Sequence, residues 1–93
     1  MAMTQPDIIF IVLDTQRADR LGTYGYDKPI SPNLERFATQ ASLFEQAVAP
    51  AQWTVPSHAS MFSGLYPTAH QVVQSSQRLS PNHPLVPDLL SSA

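Results

Sequence analysis

The sequence predicts an α/β fold with a mostly parallel central sheet, present here as the truncated front part of a larger domain, and three stretches carry that expectation. Ile8-Ile9-Phe10-Ile11-Val12-Leu13 is a continuous apolar and mostly β-branched run, the pattern of a strand buried on both faces of a parallel sheet. Ser31-Pro32 opens a stretch with apolar residues at helical spacing. The segment from Pro50 to Pro67 holds a run of small and hydroxylated residues that reads as helical from Pro56 to Ser63, with Gly64 as its stop.

Taken in order, Met1 to Pro6 is polar and reads as a loose leader, and Asp7 to Leu13 is the first strand. Asp14 to Arg20 is a polar turn leading towards a short helix. Gly22, Gly25 and Pro29 then break regular structure, leaving Tyr24 and Tyr26 in a loop, where they pack over the sheet or face a ligand. The next helix starts with a hydroxyl cap, Ser31, and proline at the first helical position; Leu34, Phe37, Ala38 and Ala41 form a stripe expected to cover one face of the sheet. Leu43 to Ala49 is a short strand that delivers the chain to Pro50. After Gly64, His70 and His83 fall in loops and read as surface residues. Leu79 to Pro87 is proline-rich and irregular, and Pro87 to Leu90 resembles the first turn of a helix.

Composition narrows the function. The net charge is −2, and the five basic residues, Arg17, Arg20, Lys28, Arg36 and Arg78, are scattered, so no nucleic-acid footprint is expected. There is no cysteine, hence neither a disulfide framework nor a thiolate metal site. The longest apolar run, Ile8 to Leu13, is far short of the roughly 20 residues of a membrane span and lacks the flanks of a signal peptide. A cytoplasmic location is the expectation. Parallel-sheet domains usually exceed ~150 residues, so these 93 residues are expected to be an N-terminal segment that folds poorly alone.

Two residues stand out for chemistry. Asp14 follows the strand directly, which puts a carboxylate at the carboxyl edge of a sheet, where open α/β folds bind ligands; equally, an Asp there can cap the next turn. Thr54 lies at a helix entrance, where its hydroxyl can cap free N–H groups or face an anion held by them and by the helix dipole. Together they form a plausible metal and nucleophile pair.

With these residues in place, the chain resembles the N-terminal portion of the sulfatase family of the alkaline phosphatase superfamily. Four blocks in the family's order carry the resemblance: Asp7 to Asp19 (DIIFIVLDTQRAD), Gly22 to Tyr26 (GTYGY), Ser31 to Ala38 (SPNLERFA) and Thr54 to Pro67 (TVPSHASMFSGLYP). The resemblance implies an alkaline-phosphatase-like α/β sandwich, a divalent metal on Asp14, and a second ligand at Thr15, where the family commonly has Asp. It also places the nucleophile at Thr54, where the family has Cys or Ser in Cys-or-Ser-x-Pro-Ser-Arg, and puts His58 at the arginine position.

Sulfatases of the family oxidise that Cys or Ser to formylglycine, whose hydrate has two hydroxyls, so that a sulfated intermediate can expel sulfate. Threonine is not expected to undergo that conversion. A metal-activated threonine alkoxide suits phosphoryl chemistry, as in superfamily members resembling lipoteichoic-acid-type synthases. The expected activity is therefore metal-dependent hydrolysis or transfer of phosphate or sulfate esters, small or polymeric, through Thr54. A true sulfatase and a non-catalytic binding module with a degenerate site are the alternatives. Oxygen ligands favour calcium, magnesium or manganese at Asp14, Thr15 and Thr54, with zinc possible if histidines come from elsewhere.

Overall fold

A computed structural model of the chain describes residues 4–93; Met1 to Met3 of the expected leader lie outside the described residues. The order along the chain is two single 3-10 turns, Ala18–Arg20 and Gly22–Tyr24, then four helices: α1 (Pro32–Ala38), α2 (Thr54–Ser63), α3 (Pro67–His70) and α4 (Val86–Ser91). No helix among them is long and apolar enough to cross a membrane.

The helices begin and end where their sequences require. Pro32 and Pro67 open α1 and α3, and Pro87 lies in the first turn of α4; each proline sits where its missing N–H costs no helical bond. The helix α2 starts two residues before the expected Pro56, and Pro56 is harmless because its own N–H would be unpaired in the first turn. Gly64 ends α2 in the left-handed region (φ 69°), and its N–H still reaches the Ser60 carbonyl at 2.8 Å. Ser31 precedes α1 as expected, but its hydroxyl does not cap that helix. It accepts the Gly22 N–H at 3.0 Å and donates to Glu35 Oε1 at 3.3 Å, tying α1 to the second 3-10 turn. The segment expected to be a plain loop at Gly22–Tyr24 is thus a hydrogen-bonded turn closed by Gly25.

The sheet is where structure and expectation part. Among the described residues none is in a strand. Residues 7–13 are neither helix nor turn, and instead of being buried they are exposed, Ile9 by 82% and Ile11 by 78%. A ladder needs a partner about 4.8 Å away, and the candidate, Leu43 to Ala49, is broken by a turn at Glu45-Gln46. Leu34 and Phe37 of the α1 stripe are likewise uncovered.

What order there is gathers around α2. The helices α3 and α4 pack on it, and Phe10 meets Phe62 edge-to-face with ring centroids 6.2 Å apart. A second contact joins Asp14 to Thr54. Four extended residues span about 13 Å, and eight helical residues about 12 Å. The two contacts therefore fit an extended segment 10–14 running antiparallel beside α2. Buried side chains are few: Pro56, Ala59 and Ser60 of α2, His70, Val72 and Ser31. The radius of gyration is 16.5 Å, against about 12 Å for a compact chain of this length. The chain forms a flat layer 46 × 44 × 18 Å, with most of its large apolar side chains exposed.

Candidate active site

A turn at the end of the apolar run positions the first site residue. Gln16 N–H bonds the Leu13 carbonyl at 3.3 Å, making Asp14 and Thr15 the central pair. Thr15 has φ 64° while Asp14 does not enter the positive-φ region, the pattern of a type II turn, whose third position normally takes glycine. A β-branched residue there is strained by about 1–3 kcal/mol. That strained turn directs the Asp14 carboxylate back across the chain.

It meets Thr54. The Thr54 hydroxyl donates to Asp14 at 3.2 Å from Oδ1 and 3.3 Å from Oδ2. Thr54 is the first residue of α2 and Trp53 its cap, without any side-chain capping bond. Of the two roles open to the hydroxyl, capping is therefore not the one adopted. The N–H groups of Thr54 and Val55 have no helical acceptor at such an end, and Pro56 has no N–H, so the start of α2 presents a weakly positive terminus beside the carboxylate.

His58, one turn on, bonds the Thr54 carbonyl through Nδ1 at 2.9 Å. A carbonyl can only accept, so the bond assigns the proton to Nδ1 and leaves Nε2 free. Asp14, Thr54 and His58 are thus brought together. Thr15 lines the same cleft without a hydrogen bond to any of them.

The cleft has a volume of about 390 Å³. Its α2 wall is Thr54, Ser57, His58 and Met61, the i, i+3, i+4, i+7 face of one helix. Trp53, Gln52 and Gln16 add to the lining. Ser57 and Met61 were not singled out from the sequence, although the helical spacing from Thr54 was the signal that finds them.

The donors fit a hard cation in part. A carboxylate and a hydroxyl converging within 3.3 Å are the oxygen ligands that calcium, magnesium and manganese prefer. Among the described residues no group of three or more His, Cys, Asp or Glu side chains could hold a metal, so a full shell needs ligands from outside this set.

A family model for sulfatases matches residues 6–93. The chain belongs to the sulfatase family. An arylsulfatase of Clostridium perfringens is 33% identical over 66 residues, 71% of this chain and 14% of that relative. An N-acetylgalactosamine-6-O-sulfatase of Bacteroides thetaiotaomicron is 33% identical over 63 residues, 68% of this chain and 12% of the relative. A multifunctional alkaline phosphatase superfamily protein of Trinickia caryophylli, PehA, is 31% identical over 88 residues, 87% of this chain and 17% of the relative. The chain thus spans less than a fifth of the length of these relatives. No solved structure matches. Membership supports the α/β class expected from the sequence.

Proposed function

We propose that this chain carries the nucleophile and the first metal ligand of a divalent-metal-dependent hydrolase or transferase of phosphate and sulfate esters. The observation that supports it is the approach of the Thr54 hydroxyl to both Asp14 oxygens, 3.2 and 3.3 Å away, by residues 40 positions apart in sequence. Thr54 is the nucleophile in this reading, and Asp14 and the Thr54 oxygen hold the cation, with Thr15 as a weaker further donor. When bound, a calcium, magnesium or manganese ion would lower the hydroxyl pKa and take up ester charge. In the full-length protein, residues 7–13 supply one strand of a mostly parallel sheet whose other strands lie elsewhere, which places Asp14 at the sheet's carboxyl edge.

The chain's own groups define the steps. Thr54 gives its proton to water as Oγ1 bonds to phosphorus, Asp14 staying a carboxylate; the bond from phosphorus to the leaving oxygen breaks, and that oxygen takes a proton from water or an acid outside this chain. Water then attacks phosphorus and gives up one proton, the bond to Oγ1 breaks, and the released Oγ1 takes up one proton in turn. The N–H groups at the start of α2 favour the anionic ester. His58, occupying the arginine position, offers Nε2 to the cleft while Nδ1 stays on the Thr54 carbonyl.

A sulfated threonine has no second hydroxyl with which to expel sulfate, so phosphate mono- or diesters are the better substrates. Sulfuric ester hydrolysis is the second reading, favoured by the sulfatases among the relatives. Comparing kcat/KM of the full-length protein for matched aryl phosphate and aryl sulfate esters separates them: the proposal expects the phosphate to be favoured, and a clear sulfate preference would replace it with the second reading.

A further inference from the structure

The helix that presents Thr54 has a second face. Pro56, Ala59 and Ser60 are buried and Ser63 half-buried, again at i, i+3, i+4 and i+7, on the side away from the cleft. Ser63, the last residue of α2, does what a helical serine commonly does, donating back to the Ala59 carbonyl at 2.6 Å. Ser60 does not. Its hydroxyl, in a residue 8% exposed, faces Nε2 of His70 at 3.0 Å.

His70 is 3% exposed and is the last residue of α3, not the surface loop residue its sequence context predicts. After it Gln71 takes a left-handed conformation (φ 59°), which turns the chain back so that the Val72 N–H donates to His70 Nδ1 at 2.9 Å. A backbone N–H can only donate, so Nδ1 accepts and the ring proton lies on Nε2, donated to Ser60. A relay runs from the Val72 backbone through the imidazole to α2, about 9 Å along the helix from Thr54.

We infer that His70 is a positioning residue: as the neutral Nε2–H tautomer it clamps α2 through Ser60 and so holds the Thr54 hydroxyl in register with Asp14. This rests on the reading of Thr54 as the reacting group. Among the described residues the ring has no carboxylate partner, the one ion pair being Arg17–Asp19, so the Val72 N–H and the Ser60 hydroxyl are its two hydrogen-bond partners.

The test uses full-length protein with Ser60→Ala, which favours helix and removes the hydroxyl, and His70→Asn, whose side-chain oxygen can still accept the Val72 N–H. Nitrogen-15 ring spectra of the wild type should show protonated Nε2 and bare Nδ1 at neutral pH. At one neutral pH, amide exchange in α2 should be faster in both variants than in the wild type, because each loses the Ser60–His70 bond. Both variants should lose about tenfold to a hundredfold in kcat with KM within about twofold, and the double variant should be no worse than either single. A protonated Nδ1, or unchanged kcat and exchange in both variants, would overturn the inference, as would kcat, KM and thermal midpoint all falling together. The ring spectra and the exchange need no turnover, so failure of Thr54 as nucleophile would leave them readable.

Discussion

Two histidines serve the two faces of α2, His58 on the helix itself and His70 beneath it, and carry their protons on opposite nitrogens. His58 faces the cleft with Nδ1–H on a carbonyl, while His70 lies under the helix with Nδ1 accepting a backbone N–H. The difference follows the two faces of α2. On the cleft side Thr54, Ser57 and His58 keep polar atoms available beside Met61, the Thr54 hydroxyl being held only by a carboxylate. On the buried side small residues allow close packing, and the one polar pair satisfies itself, with no buried side-chain N or O left without a partner among the described residues. One face is arranged for reaction and the other for attachment.

The sharpest way to break this comparison is to strip the reacting face. Thr54→Ala in the full-length protein is expected to lower turnover about a thousandfold or more, leave the thermal midpoint within error, and leave the buried face untouched; Thr54→Ser should keep part of the activity because the hydroxyl remains. Turnover by Thr54→Ala at the wild-type rate would move the reacting group elsewhere. Asp14→Asn comes next. Losing an outer-shell partner costs metal sites about 10- to 100-fold, and a direct ligand should cost at least as much, lowering metal content and turnover together.

A smaller effect belongs to the attachment side. A Cβ at Gly64 would meet nothing within 4 Å, so Gly64→Ala is penalised only for its left-handed backbone, by about 1 kcal/mol in chemical denaturation, and Gly64→Asn by less. The smallest involves neither face. The Arg17 hydrogen bond holds the Asp19 carboxyl below its ordinary range, and Asp19 in turn raises Arg17. Because the carboxyl pKa is lowered on folding, any stabilisation is present above the ordinary carboxylate range and lost as pH falls through the lowered value. Both residues are exposed, so Asp19→Asn should leave the melting profile within error even at acid pH.

Much of this was legible in the sequence, for reasons that are local. The helix start at Pro32, the proline in the first turn of α4 and the stop at Gly64 depend on neighbours a turn away, and the family blocks were readable as written. The pairing of Asp14 with Thr54 was expected, and the structure brings the two together; their catalytic and metal roles remain the proposal. The sheet was not visible in the same way. Whether Ile8 to Leu13 is buried depends on strands that no local pattern supplies, and the expected strand at Leu43 to Ala49 hid a turn at Glu45-Gln46. His70 was misjudged because its burial is set by Ser60 and by the left-handed Gln71 that returns Val72 to its ring. Thr15 was read as a possible ligand, yet its most distinctive property is a backbone conformation that residue type argues against.

The central claim is that the Thr54 oxygen forms a covalent bond to the substrate. Full-length protein turning over a phosphate ester, quenched in acid and digested, should give a peptide spanning Thr54 that gains one phosphoryl group, with fragmentation placing it on Thr54 and the signal absent from Thr54→Ala. A phosphoryl group on another residue, or active protein that never labels this peptide under single-turnover conditions, would contradict the account.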